Sequence, residues 1–414
     1  MIGTQSLGLC RGEQHLPSNR CWPGFIIEAG FRRRQVVLDR TPQEDVSLRP
    51  DLVRQDRQFV RAFALIREAI AQHAFPGAAL AVTHRGALVA LRGFGRFTYE
   101  DHAPEVQADT IFDLASITKV VATTAVAMLL YDRGSLSLEE PVAATLPAFV
   151  SLAPKHQKAW REAVTVGMLL AHSSGLPAYE KLFEFAKTRV ELIHAAMTTR
   201  LVAAPGERAV YGDIGFILLG ELLAKKAGLA LNQFARQEIF RPLGMKRTRF
   251  SPPQDWVAQI PPTENDQKFR RRLVQGEVND ENAYVMGGVA GHAGVFAPAT
   301  DLARFAECML RRGSPLFGSS TMALFSRRQT SPSGTTRALG WDTPSRPESS
   351  SGRLFSLASF GHLGFTGTSL WIDPGRKLSV ILLTNRTWPD RSSQLIREIR
   401  PAVHDAIVEA LERD

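Results

Sequence analysis

The segment Asp113-Leu-Ala-Ser-Ile-Thr-Lys-Val120, together with the apolar run behind it, constrains the fold more than any other part of the chain. Residues 120–130 read VVATTAVAMLL, which is small or apolar on every face, and the run stops just ahead of Gly134. A helix without a polar face has to be buried on all sides, and glycine commonly ends a helix. We therefore predict a central buried helix with the remaining elements packed around it.

Ser116 and Lys119 lie at the start of this predicted helix, three residues apart, so their side chains share one face. Burial and the positive end of the helix dipole both favour a neutral lysine, which could accept the proton of a serine nucleophile. The alternative is a purely structural role, in which the serine caps the helix N-terminus and the lysine lies at the surface. Against it, no other serine in the chain has a lysine three places on, and a solvated lysine would be out of place before so apolar a run.

Composition narrows the class of protein. The chain has 414 residues, 44% of them hydrophobic and 22% charged, which is enough to bury a large core. The net charge of +9 comes from scattered arginines without interleaved aromatic residues, so we interpret them as solvated surface and expect no nucleic-acid partner. The three cysteines, Cys10, Cys21 and Cys308, have no metal-like spacing and do not suggest a disulfide framework.

Neither a membrane span nor a signal peptide is expected. We find no run of about 18 consecutive apolar residues, and the apolar stretch near the N-terminus is too short for a signal peptide and is followed at once by Arg11 and Glu13. The sequence as written therefore predicts a cytoplasmic protein.

Along the chain, residues 1–55 show no periodicity and are predicted to form an irregular extension, followed by one domain over residues 56–414. Helical spacing over residues 57–73 precedes a predicted hairpin, 78–83 with 87–91, and a second hairpin, 369–373 with 378–385, precedes a C-terminal helix bent or divided at Pro401. The residues between are mostly helical. We therefore predict an α/β (α+β) fold whose sheet, from about 57–115 and 335–414, carries an inserted helical part over about 116–334.

Four further segments carry unusual residues. Tyr211 and Asp213 come directly before a predicted helix, and His362 comes before the second hairpin. Tyr211 could be an interfacial tyrosine with a satisfied hydroxyl, or a phenol that moves a proton to and from a serine oxygen. Residues 286–294 contain four of the chain's glycines, a density that suggests close backbone approach. His172 and Ser174 are interpreted as loop structure, because no Gly-x-Ser-x-Gly elbow and no His-Glu-x-x-His motif exists.

From about residue 60 to the C-terminus, the chain resembles the serine β-lactamase and penicillin-binding-protein superfamily, in particular its class C-like branch. The resemblance rests on Ser-Ile-Thr-Lys at 116–119, on Tyr-Gly-Asp at 211–213, where the family has Tyr-x-Asn, and on His-Leu-Gly at 362–364, where it has Lys-Thr-Gly or His-Thr-Gly. It implies a β-lactamase-like fold, an antiparallel sheet flanked by the terminal helices, and an acyl-serine mechanism that needs neither metal nor organic cofactor.

Carried over to this sequence, the resemblance makes Ser116 the nucleophile and Lys119 its general base, alone or with Tyr211. The backbone N–H groups of Ser116 and Phe365 would form the oxyanion hole. His362 would replace a lysine as the electropositive partner of Tyr211, and its titration near neutrality would make activity depend on pH.

Asp213, Leu363 and Gly364 would line the substrate site, and two of them depart from the family. Leu363 cannot offer the hydroxyl of the usual threonine to a substrate carboxylate, and Asp213 replaces an amide donor with a negative charge. These departures favour a small-molecule substrate that is a neutral carboxylic ester or small amide. The alternatives are a D-amino-acid peptidase or β-lactamase acting on cell-wall-like substrates, and a catalytically idle binding or scaffold relative.

Overall fold

A computed structural model describes residues 46–413. Its strands are β1 Arg49–Pro50, β2 Gly77–His84, β3 Ala87–Gly95, β4 Phe112–Asp113, β5 Arg249–Phe250, β6 Glu264–Asp266, β7 Arg272–Val274, β8 Val295–Ala297, β9 Phe360–Leu363, β10 Ser369–Asp373 and β11 Leu378–Thr384. Six of them form the main sheet in the order β1-β3-β2-β11-β10-β9, antiparallel except for the β1–β3 pair. The sheet therefore comes from both ends of the described chain, as predicted, and both predicted hairpins are confirmed.

The helices complete the α/β architecture. The α-helices are α1 Gln55–Gln58, α2 Val60–Ala71, α3 Ala125–Asp132, α4 Val142–Thr145, α5 Ala148–Ser151, α6 Lys158–Ala163, α7 Val166–Leu170, α8 Arg189–Thr198, α9 Ile214–Ala227, α10 Leu231–Ala235, α11 Glu281–Val285, α12 Ala299–Leu310, α13 Ser319–Ser326 and α14 Ile396–Glu412. The 3-10 segments are Ala115–Ile117, Lys155–Gln157, Leu182–Glu184 and Gln254–Gln259, and the π-helical segments are Lys119–Thr124 and Arg236–Phe240.

The alternation of side chains along β11 builds two cores, because successive residues of a strand face opposite sides of the sheet. Val380 and Leu382 belong to the core that includes α2 and α14, whereas Ile381 and Leu383 belong to the larger core that includes α12 and the central helix. The sheet is thus covered on both faces.

The central apolar segment is buried as predicted, although it is not one regular helix. It passes from the 3-10 turn through the π-helical segment into α3, and every residue from Lys119 to Leu130 is buried. By length and composition alone, Ala115–Asp132 could cross a membrane, but 83% of that stretch is buried inside the protein, as in the core helix of a globular fold. The glycine-rich loop packs closely, since a Cβ on Gly291 would lie 2.0 Å from the carbonyl oxygen of Phe216.

Three expectations from the sequence need correction. The predicted helical block also contains strands, because β5 and β8 pair with β4 and β6 pairs with β7. Within the predicted irregular extension, Val46 is buried and Arg49–Pro50 adds an edge strand, while residues 1–45 lie outside the described residues. Helix α14 is not divided at Pro401, since it runs from Ile396 to Glu412, and Val403 and Ile407 on its buried face belong to the core that includes α2.

Candidate active site

A tight turn before the central helix positions Ser116. Ala115 has a φ of 46°, a left-handed conformation that is costly for a non-glycine residue and is often found at functional sites. The Asp113 carboxylate supports the turn by accepting hydrogen bonds from the N–H of Ala115 at 2.8 Å and the N–H of Asn279 at 2.6 Å. Burial raises the pKa of Asp113 to about 6, although these two N–H groups oppose the shift. The π-helical turn that follows is a second local irregularity of a kind found at functional sites.

Lys119 is the centre of the site. Its buried Nζ lies 2.8 Å from Ser116 Oγ, 2.9 Å from Tyr211 Oη and 2.7 Å from Asp213 Oδ1, and it also contacts the carbonyl of His292 at 3.3 Å. The structure therefore brings together the serine, lysine, tyrosine and aspartate that the sequence selected. The serine, tyrosine and aspartate side chains all contact the lysine nitrogen.

The expected neutral lysine is not what this environment favours. Burial lowers the pKa of Lys119, but the carboxylate of Asp213 and the phenol of Tyr211 outweigh burial, so the pKa lies above its usual value. Four oxygens around Nζ likewise match an ammonium, which donates three hydrogen bonds and accepts none. Lys119 in this geometry is a cation paired with Asp213, and a resting base has to be sought elsewhere.

The loop ahead of α9 holds Tyr211 and Asp213 in place, as the sequence indicated. The N–H of Asp213 donates to the carbonyl of Ala178 at 2.8 Å, and the N–H of Gly212 donates to His172 Nδ1 at 3.2 Å. The His172 ring lies 4.8 Å from that of Tyr211, centroid to centroid. His172 therefore supports the loop, in agreement with its interpretation as loop structure.

His362 lies on β9 and faces Tyr211, with ring centroids 5.6 Å apart, but it is not the titratable cation that was expected. Burial lowers the pKa of His362 to about 3, and the nearby charges of Lys119 and Arg337 act in the same direction. The imidazole is therefore neutral at physiological pH. The expectation of a His362-dependent pH profile near neutrality is wrong for this environment.

Arg337 was missed by the sequence analysis. Its guanidinium carbon lies 5.0 Å from the centroid of the Tyr211 ring, within cation–π range, and the guanidinium pairs with Asp342. Arg337 comes from a polar Ser/Arg-rich stretch that resembles ordinary solvated surface in the sequence. Only the bridge pairing of residues 337 and 342, which the sequence does not reveal, places it beside Tyr211.

The loop after β9 meets the nucleophile turn. The hydroxyls of Thr366 and Thr368 donate to the carbonyls of Asp113 and Leu114, at 2.8 and 2.9 Å. Gly364 is held so closely that a Cβ there would lie 2.4 Å from the carbonyl oxygen of Leu114, which explains the glycine. These contacts place the segment containing Leu363 and Phe365 beside Ser116. The N–H of Phe365 has no acceptor within residues 46–413, as an oxyanion donor requires.

These elements surround a cleft of about 1060 Å³, whose lining includes Ser116, Tyr211, Asp213, His362, Leu363, Gly364 and Phe365. The lining also includes four arginines from the C-terminal part of the chain, Arg386, Arg391, Arg397 and Arg400. Arg391 pairs with Glu264 and Glu281, whereas Arg386 and Arg400 form no ion pair within the described part of the chain. Burial, together with the charge of Arg386, lowers the pKa of Arg400 to about 9. No cluster of three or more potential metal-ligating side chains occurs in residues 46–413.

Comparisons with known proteins agree with this geometry. The family model described as Beta-lactamase matches residues 62–403. The N-acetylmuramyl-L-alanine amidase of Bacillus subtilis (strain 168) is 34% identical over 352 residues, which cover 75% of this chain and 77% of the relative.

Two solved structures show the same fold. The octameric penicillin-binding protein homologue from Pyrococcus abyssi superposes with a TM-score of 0.65 and 23% identity over 86% of this chain and 77% of its own. A class C β-lactamase from Rhodobacter sphaeroides superposes with a TM-score of 0.64 and 23% identity, covering 84% of this chain and 99% of its own.

Proposed function

Because the chain belongs to the Beta-lactamase family, whose relatives are serine hydrolases, we propose that it is an amidohydrolase working through an acyl-serine at Ser116. The observation that carries the proposal is the position of Lys119 Nζ, within hydrogen-bond distance of Ser116 Oγ, Tyr211 Oη and Asp213 Oδ1 inside an open cleft. An idle binding protein would have no use for that cluster.

In the proposed reaction, Tyr211 acts as the phenolate and becomes a neutral phenol when it accepts the Ser116 proton, while Oγ attacks the carbonyl carbon of a bound amide. The carbonyl oxygen becomes an oxyanion that the N–H groups of Ser116 and Phe365 stabilise. The C–N bond then breaks, the departing amine takes the proton from Tyr211, and the acyl group stays on Ser116. Water attacks the acyl-serine by the same steps, losing a proton to Tyr211 and releasing the carboxylic acid.

Two cations stabilise the phenolate form of Tyr211, the form that can accept the Ser116 proton. Lys119 donates to its oxygen at 2.9 Å, and the Arg337 guanidinium lies 5.0 Å from its ring centroid. Neutral His362 adds no charge. The role expected for His362 is therefore assigned to Lys119 and Arg337 together.

The C-terminal arginines that line the cleft favour a leaving group that carries a carboxylate. Arg386 and Arg400 have no carboxylate partner within residues 46–413, and Arg400 is buried, so a bound carboxylate would compensate both charges. An amino acid released from an amide bond has such a carboxylate. This favours an N-acylated amino acid, such as the N-acetylmuramyl-L-alanine of the Bacillus subtilis relative, over the neutral substrate that the sequence suggested.

A carboxylic ester remains the second candidate. Leu363, where the resemblance leads one to expect a threonine hydroxyl, lines the cleft next to the proposed oxyanion hole and offers no side-chain hydrogen bond there. An apolar group there suits a neutral ester.

The test combines labelling with turnover. A fluorophosphonate probe should label the wild-type protein and leave Ser116→Ala unlabelled. Turnover is then compared for N-acetylmuramyl-L-alanine, a D-alanyl-D-alanine peptide, p-nitrophenyl butyrate and a chromogenic cephalosporin. We expect the muramyl amide to have the highest kcat/KM. A clear preference for the butyrate ester or the cephalosporin would replace the amidohydrolase proposal, and labelling of Ser116→Ala would remove Ser116 as nucleophile.

A further inference from the structure

The hydrogen-bond contacts of His362 define its tautomer. Its Nδ1 lies 2.8 Å from the carbonyl oxygen of Leu363. A carbonyl oxygen can only accept, so the hydrogen is assigned to Nδ1. The ring is buried and close to the cations Lys119 and Arg337, and its pKa is lowered to about 3, chiefly by burial. A neutral imidazole with hydrogen on Nδ1 leaves a lone pair on Nε2, which makes Nε2 a hydrogen-bond acceptor.

Within the described part of the protein, no hydrogen-bond donor contacts Nε2 of His362. Nε2 of His362 is buried without a hydrogen-bond partner, and the side chain lines the cleft beside Tyr211. Within the described residues, three other buried histidines, His172, His292 and His404, also have an unpartnered ring nitrogen, but none of them lines the cleft. A buried polar atom without a partner is costly, and in an active site the partner is commonly a ligand.

Several of the other polar groups near Ser116 are donors, whereas Tyr211 Oη and the Asp213 carboxylate, which accept from Lys119, are acceptors. Lys119 and Arg337 are cations, and the N–H of Phe365 is free. They can bind a carbonyl oxygen or a carboxylate, but none of them can bind an N–H. A lysine at position 362, as in the family motif, would add one more donor. With His362 the polarity at this position is reversed, so this wall of the cleft matches a substrate group that donates.

We propose that Nε2 of His362 accepts a hydrogen bond from the N–H of the scissile amide, and that this contact makes the site select amides over esters. The proposal rests on the proposed amidohydrolase function and specifies its substrate class. An ester has an oxygen where the amide has its N–H, so a bound ester would leave Nε2 unpaired and would place two lone pairs against each other. Sites built to bond one substrate hydrogen discriminate strongly against analogues that lack it.

The test uses a pair of substrates that differ only in this atom: an N-acyl-L-alanine, and the O-acyl-L-lactate with the same acyl group. Esters are intrinsically more reactive, so the measured quantity is the amide-to-ester ratio of kcat/KM, compared between proteins. We expect His362→Leu and His362→Lys to lower this ratio about 10- to 100-fold, since the bond to a buried acceptor is lost. His362→Gln, whose side-chain oxygen can accept, should retain more of the ratio than His362→Leu.

The matched control is His404→Leu, which removes another buried histidine that does not line the cleft and should leave the ratio unchanged. Thermal unfolding of each variant reports whether it is folded. An amide-to-ester ratio within about threefold of wild type in His362→Leu would overturn the proposal, as would a larger ratio in His362→Lys than in wild type.

Binding separates this inference from the amidohydrolase function. In Ser116→Ala, calorimetry measures the Kd of the same amide and ester without turnover. If the wild-type protein hydrolyses neither compound, the proposed function fails, yet tighter binding of the amide that is lost in Ser116→Ala/His362→Leu still supports the acceptor role. Equal binding of the two compounds, or binding of neither, contradicts it.

Discussion

Two walls of the same cleft differ in whether their polar side chains have hydrogen-bond partners within the described part of the protein. One, formed by Ser116, Lys119, Tyr211 and Asp213, is joined through a single nitrogen, and we call it the serine wall. The other, formed by His362, Arg386 and Arg400, is here called the arginine wall. Nε2 of His362 and Nε of Arg400 are buried there without hydrogen-bond partners among residues 46–413.

This difference in partners indicates which side chains act in the reaction and which recognise the substrate. Groups that must act on a reacting atom gain from being held by the protein before the substrate arrives, because no reorganisation is then needed during the reaction. Groups that recognise the substrate gain from lacking a protein partner, because the substrate supplies it. The serine wall should therefore govern kcat, and the arginine wall should govern which substrate binds.

The largest effect is expected from removing the centre of the serine wall. Lys119→Met deletes the cation that joins Ser116, Tyr211 and Asp213 and leaves the Asp213 carboxylate without its partner. We expect kcat to fall on the order of 10³-fold or more, with a smaller change in KM, because proton transfer loses its electrostatic support. Steady-state kinetics on the preferred amide provide the measurement.

Lys246→Met is the control for this substitution, because Lys246 is exposed and does not line the cleft. It should leave kcat unchanged. A Lys119→Met variant that keeps wild-type kcat and merely binds substrate more weakly would mean that the serine wall is a recognition surface, and the distinction between the walls would fail.

The sequence located the serine wall well because its members occur in short local patterns. Ser116 and Lys119 lie within one helical turn, and Tyr211 and Asp213 lie directly before α9, as expected from the helix boundary. The hairpins and the buried helix could likewise be predicted, since their periodicity reflects burial. The short strands β5 to β8 could not, because two or three residues show no period.

The sequence failed where the property depends on contacts between distant segments. Burial lowers the pKa of Lys119, whereas the Asp213 carboxylate, 94 positions further along the chain, raises it. A local sequence pattern cannot predict a pairing over that separation. Burial is the main cause of the lowered pKa of His362, and the charges of Lys119 and Arg337, which come from two other segments, lower it further. Residue type suggested a titrating histidine, whereas the surrounding charges and burial decide that it does not titrate near neutrality.

The next effect concerns the arginine wall. Arg400→Met removes a buried guanidinium but keeps an apolar side chain of similar length. If Arg400 binds the leaving-group carboxylate, KM should rise about 10- to 100-fold with little change in kcat, the usual range for a lost charge-assisted hydrogen bond.

A substrate with a carboxamide in place of that carboxylate provides the comparison for Arg400→Met. The wild-type protein should bind the carboxamide as weakly as the variant binds the acid. A rise in KM that is equal for the acid and the carboxamide would show that Arg400 supports the fold of this wall and does not recognise the carboxylate.

A smaller change in rate with a clear pH signature is expected for Asp213→Asn. The carboxylate raises the pKa of Lys119 against burial, so its loss leaves burial to lower that pKa. When the pKa of a lysine is higher in the folded than in the unfolded protein, the lysine is fully charged below the unfolded-state pKa. It loses its charge, and the stability that the charge contributes, only as the pH rises through the folded-state pKa. The alkaline limb of kcat/KM should therefore move to lower pH, with about a tenfold loss at neutral pH. An unmoved alkaline limb would show that Asp213 does not control the charge of Lys119.

The smallest effect should come from the threonine hydroxyls that join the two walls. Thr366→Val keeps the side-chain shape but removes the hydrogen bond to the carbonyl of Asp113. Loss of one such bond typically costs about 1 kcal/mol of unfolding free energy, and slight loosening of Phe365 against Ser116 should lower kcat only a few fold.

Thr387→Val is the matched control, since the Thr387 hydroxyl is buried without a partner within residues 46–413. Urea unfolding should show destabilisation for Thr366→Val alone, because replacing an unbonded hydroxyl by a methyl group removes no hydrogen bond. Equal destabilisation of both variants would attribute the effect to packing, and the two walls would then be held together by the sheet without help from these hydroxyls.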